Sequence, residues 1–467
     1  MAQYILFQFM RGSVLFILWY MVIMNGAGIL QMVFAFIIAP GYFSGTRRSN
    51  TRLTGSSENM IPISVLVPAF NEEAAIVGCI KAMLNLTYAN YEIIVINDGS
   101  TDSTLNTVIG SFGLHKITYP VRERLAVKKV RGVYYSPDVP RLLLIDKEAG
   151  GKSDALNAGI NFSRCPYFIS IDTKTILEEE ALPRIAAAFM ENKYTVAAGG
   201  MIRAVNGCRI ENGKIIKYRL PRKPLALFQI IEYLHSFMVS RMGWGSLNSL
   251  LIISGAFGAF QKEPVLQVGG YTTGTVGEDT DLVIKLHRYM HAKNYKYRIS
   301  FMPEPLCWTK VPEDLDSLYR QRRQRQERLI DVLGRCRDMF LNRRFGIIGM
   351  LAVPYYYLFE LISPIIELAG YVLIPLAWYF GILSPDALGL FFAAVFIFGM
   401  VSSVGSLVIE SFTNTKYLSV GASAFLNLLC VAENLFYRQI TVFFRLVGIF
   451  SYRKQKRGTV KRHQPTE

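Results

Sequence analysis

Several charged and small residues in this sequence fall where they could do chemistry. Asn71, Asp98, Asp146 and Asp172 each close a short apolar run. Gly150–Gly151–Lys152 precedes a helical pattern. Glycines there let backbone approach a ligand, a helix start favours an anion, and Lys152 adds a full positive charge. Glu278 and Asp279 open GEDTDLVIKL. Acids in a first helical turn suit the helix dipole, and a helix start also holds a proton-accepting carboxylate rigidly. Nine arginines lie between Arg320 and Arg344 against Glu327, Asp331 and Asp338. Such a cluster can face phosphate or rest on anionic lipid headgroups.

The elements that must hold these residues are readable from 61 to 310. Apolar runs ISVLVPAF, YEIIVIND, LLLID and YFISID alternate with helical patterns such as EEAAIVGCIKAML, STLNTVIGSF and KSDALNAGINF. Buried parallel strands read as continuous apolar runs, and strands alternating with helices imply βαβ crossovers. In such a sheet the ligand crevice lies at the carboxyl ends of the strands, where the acids stand. The expectation is an α/β nucleotide-binding domain with a mostly parallel sheet.

Composition sets its surroundings. Of 467 residues, 51% are hydrophobic and 18% charged, below the ~25% usual for soluble domains. The run from Ser13 to Ile38 is long enough for the ~20 residues of a membrane helix and has no cleavage-like end. Further apolar runs cover 346–363, 365–383, 387–409 and 418–434, which makes five expected spans, and 435–450 suits a helix lying on the membrane surface. The net charge of +16 gathers beside these runs, at Arg47, Arg48 and Arg52 and again at Arg453, Lys454, Lys456, Arg457, Lys461 and Arg462. That is the positive-inside pattern of a multi-pass protein of the inner or plasma membrane, with its catalytic domain cytosolic. No nucleic-acid motif accompanies the charge. Segments 225–242 and 318–340 carry apolar residues at helical spacing and read as amphipathic helices, packed on the domain or touching the membrane. The six cysteines form no CxxC pair, which fits a reducing compartment. The expected division is 1–46 membrane segment, 47–345 cytosolic domain with interfacial helices, 346–450 membrane helices and 451–467 basic tail.

VPAFNEE (67–73), NDGSTD (97–102), GGKSDALNAG (150–159), SGAFGAF (254–260) and GEDTDL (277–282) occur in that order. Together they resemble the membrane-bound family 2 inverting glycosyltransferases, the group of cellulose, hyaluronan and poly-N-acetylglucosamine synthases. The resemblance implies a glycosyltransferase A-type domain inserted between transmembrane helices. It implies a UDP-sugar donor, a saccharide acceptor, membrane lipids around the chain, and partner subunits of polysaccharide synthesis. On this likeness Asp279 is the base that deprotonates the acceptor, with Glu278 supporting it. Asp98 meets the uracil, Pro68 and Glu72 flank the nucleoside, and Lys152 and Asp172 stand beside the donor. SGAFGAF resembles the acceptor-binding loop.

Two positions depart from the family's pattern. Its metal-binding motif is Asp-x-Asp, but the strand YFISI ends in Asp172–Thr173–Lys174. Mg²⁺ or Mn²⁺ at Asp172 is therefore weakened, or the Lys174 ammonium partly replaces it as a point cation. Where processive members carry Gln-x-x-Arg-Trp, this chain has Gln321–Arg322–Arg323–Gln324–Arg325. Gln321, Arg322, Arg323 and Arg325 are the candidates for diphosphate contact, and the aromatic platform is missing. The departures leave two further readings: a catalytically degenerate subunit of a synthesis complex, and a transferase acting on a lipid-linked acceptor.

Overall fold

The apolar runs between Ile63 and Ile171 become the centre of one sheet. A computed structural model describes residues 1–53, 60–211, 213–413, 417 and 419–462. The side chains of 41–53 and 453–462 lie outside the described set, as do residues 463–467 altogether. The basic residues flanking the first and last apolar runs fall there.

The strands are β1 (Ile63–Ala69), β2 (Tyr91–Asp98), β3 (His115–Ile117), β4 (Val130–Tyr135), β5 (Leu142–Lys147), β6 (Tyr167–Ile171), β7 (Ile176–Leu177), β8 (Thr195–Ala204), β9 (Arg209–Glu211), β10 (Lys214–Lys217), β11 (Phe257–Gln261) and β12 (Arg298–Thr309). All but the β9–β10 hairpin join one sheet in the order β3-β4-β5-β2-β1-β6-β11-β8-β12-β7. β5, β2, β1 and β6 are mutually parallel neighbours, as the alternating strand and helix patterns require. β4 and β11 flank them antiparallel, and β12 pairs parallel with β8. The central strands are buried along nearly their whole length. The α/β fold with a mostly parallel sheet is thus the one expected.

The helix Lys152–Phe162 lies on this sheet with Ser153 to Phe162 buried. Gly159 makes the approach close: a Cβ there would come 3.0 Å from Ile96 Cδ1 and 3.2 Å from Leu66 Cδ2. The helix therefore starts at the carboxyl ends of the strands. A second helix, Glu278–Ala292, is fixed by His287, which is fully buried. Its Nε2 lies 3.0 Å from the Leu250 carbonyl, to which it donates, and its Nδ1 lies 2.7 Å from the Tyr297 hydroxyl. Burial pushes the imidazole from 6.5 down to about 4, so it is neutral in the fold. The unfolded chain takes up this proton first as pH falls. The contribution is complete above pH 6.5 and is lost as pH falls toward 4. At about pH 5 the loss is ~2 kcal/mol. The thermal midpoint of His287→Gln should therefore lie below wild type at about pH 7.5, and the gap should narrow or reverse by about pH 5.

Two units emerge from the chain: Ala39–Arg222 with Trp244–Val311, which holds the sheet, and Met1–Ile38 with Lys223–Gly243 and Pro312–Glu467, which is helical. Among the described residues three helices are long and apolar enough to cross a membrane, Phe7–Pro40, Pro385–Ser411 and Val420–Tyr452. A fourth candidate is the pair Ile348–Leu361 and Ser363–Tyr379, bent by 42°. Against the five spans expected from sequence, up to four qualify among the described residues by length and composition. Pro364 at the start of the second helix of that pair cannot continue the preceding hydrogen-bond ladder, so the two runs form one bent element. The 435–450 segment is not a separate surface helix, because the chain stays helical from Val420 through Tyr452. Ile17, Tyr20, Met21 and Ile374 form a core within this unit, and the Tyr20 hydroxyl donates to the Leu358 carbonyl at 2.6 Å.

Candidate active site

At the carboxyl ends of β1, β2 and β6 a cavity of about 410 Å³ opens. Pro68, Glu72, Asp98, Lys152, Asp172 and Lys174 all line it. Six residues singled out from sequence, the most distant more than a hundred positions apart, thus share one pocket. The parallel order of β2, β1 and β6 brings their ends side by side, and the close-lying Lys152–Phe162 helix adds its first residue.

Asp98 is 5% exposed and both of its oxygens are engaged. Oδ1 accepts from Lys147 Nζ at 2.7 Å and from the Gly150 amide at 2.9 Å, and Oδ2 accepts from the Gly151 amide at 2.6 Å. Its evident work is to anchor the glycine loop that launches the Lys152 helix. Lys147, fully buried, also pairs with Asp154 at 2.6 Å. Sequence reading missed Lys147. The available signal was a lysine closing an otherwise apolar strand at the ligand-facing end.

Lys152 is the hub of the site. Its ammonium lies 2.9 Å from Asp172 Oδ1 and 3.4 Å from Glu278 Oε1, and it donates to the Gly255 carbonyl at 3.1 Å. Burial alone would favour the neutral amine, but Asp279, Asp172 and Glu278 together hold Lys152 protonated, above its ordinary range. Glu278 and Asp279 are each 9% exposed at the start of their helix. The SGAFGAF loop meets the same group through Gly255. A Cβ at that position would overlap the Asp279 carboxylate and come within 3.2 Å of Lys152 Nζ. Gly255→Ala should therefore displace the carboxylate without unfolding the chain. A shift of about 1 Å in a reacting group costs ~10²-fold, and kcat/KM beside an unchanged thermal midpoint measures it.

Lys174 pairs with Glu72 at 2.9 Å and is 72% exposed at its side chain. The donor set at Asp172 does not fit a divalent cation. An ammonium stands where a second carboxylate would, and Lys152 already occupies Asp172 Oδ1. Among the described residues no group of three His, Cys, Asp or Glu side chains is placed to hold a metal. Asp172, the residue for which a weakened metal role was expected, is paired with Lys152.

The arginine-rich helix, Leu315–Arg335, belongs to the helical unit and its charges are largely matched there. Arg322, 3% exposed, makes a two-pronged pair with Glu232 and donates to the Tyr437 hydroxyl at 2.9 Å. Arg325 reaches Glu232 at 3.3 Å and Arg323 reaches Glu327 at 3.5 Å. Gln321 sits on the same helix. The same helix meets the last one through Gln326 with Arg445 and Glu327 with Ser451. The diphosphate or lipid contact expected of Arg322 gives way to a buried structural pair, because Glu232 supplies the anion.

Comparison with known proteins places this geometry in a family. The chain is 26% identical over 309 residues to a poly-beta-1,6-N-acetyl-D-glucosamine synthase of Staphylococcus epidermidis, covering 66% of this chain and 63% of the relative. A synthase of the same name from Staphylococcus aureus is 26% identical over 308 residues, with the same coverage. The chain thus spans about 63% of the length of these curated relatives. Among solved structures, a mannosyltransferase from Pyrobaculum calidifontis in complex with GDP-Man and Mn²⁺ aligns at TM-score 0.49 and 16% identity, over 88% of this chain and 99% of that one. The model of glycosyl transferase family 2 matches residues 64–136, which include Glu72 and Asp98. The model of glycosyl transferase family group 2 matches residues 167–404, more than half of the chain and including Asp172, Glu278 and Asp279, so the protein belongs to that family.

Proposed function

We propose that this protein is a membrane-embedded glycosyltransferase that moves a sugar from a UDP-sugar, with inversion, to a polysaccharide or other saccharide acceptor in exopolysaccharide synthesis. One observation carries the proposal: Lys152 joins the donor-pocket acid Asp172 to the helix-start acids Glu278 and Asp279 in a single charged cluster. Donor and acceptor chemistry need such adjacency, because one displacement must deprotonate a hydroxyl beside the bond being broken. Family membership and relatives named as poly-beta-1,6-N-acetyl-D-glucosamine synthases support a polymeric product.

In the proposed reaction the acceptor hydroxyl oxygen attacks the anomeric carbon from the face opposite the diphosphate. Asp279 takes the hydroxyl proton as the new glycosidic bond forms. The bond from the anomeric carbon to the diphosphate oxygen breaks, and UDP leaves with that electron pair. Glu278 and Lys152 fix the position of the base. Lys152 and Lys174 place two ammonium groups on the pocket wall, where they offset the charge gathering on the leaving diphosphate. Asp98 holds the glycine loop open to the nucleotide through its bonds to the Gly150 and Gly151 amides.

A panel of UDP-sugars offered to membranes holding the full chain tests the proposal, with released UDP and product size as readouts. Turnover with one sugar and a precipitable polymer is the expected result. Lipid-extractable product identifies a lipid-linked acceptor instead. No UDP release with any sugar favours the non-catalytic subunit, a reading motivated by Lys174, Gln324 and an Arg325 already committed to Glu232.

A further inference from the structure

A second cavity, about 510 Å³, lies in the sheet-bearing unit at the opposite end of β6 from Asp172. Pro166, which precedes β6, lines it, and its carbonyl accepts from the Lys262 amide at 2.8 Å. A strand rises about 3.3 Å per residue, so the length of β6 sets this cavity roughly 16 Å from the donor pocket. None of the residues assigned above to donor or acceptor lines it.

Its charge is unbalanced. Arg122, Arg124, Arg164 and Lys262 face it against one carboxylate, Glu263. That carboxylate is taken by Arg124 in a two-pronged pair at 2.7 and 2.8 Å, and this pair with Gln267 holds Glu263 down to about 2. Among the described residues, Arg122, Arg164 and Lys262 make no ion pair; Glu92, whose Oε1 accepts from the Arg164 amide at 2.7 Å, acts on Arg164 and Lys262 only from further off. Arg164 is nevertheless held in place. Its guanidinium lies 5.0 Å from the centre of the Tyr119 ring and its Nε donates to the Tyr119 hydroxyl at 2.6 Å. Lys262 spends one proton on the Ser163 carbonyl at 2.5 Å, which leaves two to donate. Burial lowers its proton affinity, Glu92 opposes that and Arg124 adds to it, and the net lowering is what an added anion would relieve. Exposed cations on a convex surface are simply hydrated. Two held cations, Arg164 and Lys262, with Arg122 beside them around a concavity of ligand size, form a receptor for a compact dianion.

We propose that this cavity binds the phosphoryl group of a phosphorylated small molecule, held by Arg122, Arg164 and Lys262, at a site distinct from the donor pocket. Nothing in this assignment depends on the transferase reading.

Equilibrium dialysis of radiolabelled inorganic pyrophosphate against the full chain, in nanodiscs of neutral phosphatidylcholine, tests the proposal. The wild type should show a saturable component that Arg164→Gln with Lys262→Gln weakens at least ~tenfold. Lys262→Arg should retain it. Glu263→Gln should tighten it several-fold, because Arg124 is then free to join the anion. A merely misfolded variant cannot produce that gain. Identical isotherms for wild type, the double variant and Glu263→Gln overturn the proposal. So does a component that Glu263→Gln weakens, or a loss of pyrophosphate binding when anionic phosphatidylglycerol enters the discs, which would assign the cations to lipid headgroups.

Discussion

Asp279→Asn should abolish sugar transfer while leaving the chain folded and able to bind donor. The asparagine keeps the volume of the side chain beside Gly255, where even one added carbon would collide. It cannot accept the acceptor's proton. Positioned general bases contribute ~10²–10⁴-fold, so kcat should fall by that factor with KM for the UDP-sugar little changed. UDP release and product formation should fall together. A variant as active as wild type would remove Asp279 from the base role. Loss of donor affinity with unchanged kcat would make Asp279 a holder of Lys152 and nothing more.

The second large effect concerns the cation balance of the pocket. Wild-type turnover should survive chelation with EDTA, because Lys152 and Lys174 supply positive charge without a metal. Lys174→Asp should restore an Asp-x-Asp motif that begins at Asp172, and place a new acid opposite Glu72, the present partner of Lys174. That variant should lose most of its activity in chelator and recover part of it with Mn²⁺ or Mg²⁺, since divalent cations bridge carboxylates and diphosphate oxygens. The ratio of activity with and without chelator is the measurement. Equal and complete loss of both proteins in EDTA would reject the lysine assignment.

The fold and the pocket were legible in the sequence to unequal depths. Continuous apolar runs separated by helical patterns place Asp98 and Asp172 at strand ends, since burial on both faces of a parallel strand forces the polar residues to its ends. Parallel pairing then brings those ends together, so the acids on the cavity wall followed from pattern, while Pro68, Glu72 and Lys174 came from the family resemblance. The helix starts at Lys152 and Glu278 were legible for a similar reason, from glycine before one and acids within the first turn of the other. Gly159 and Gly255 read only as small residues, and their contacts with Leu66 and Asp279 show why they are small.

The type of each charged residue and the end of the element that carries it were determined by local sequence, because helix and strand patterns are short-range. The partner of each charge was decided by tertiary structure. Lys147 meets Asp98 across 49 positions, Lys152 meets Gly255 across 103, and Arg322 meets Glu232 across 90. A buried charge must find its counter-ion wherever the fold brings one, and the free energy of that match depends on distances in space rather than along the chain. For this reason the sequence shows Asp98 as an acid at a strand end and only the fold adds the loop amides it holds, while Arg322, a candidate for phosphate contact, is paired with Glu232.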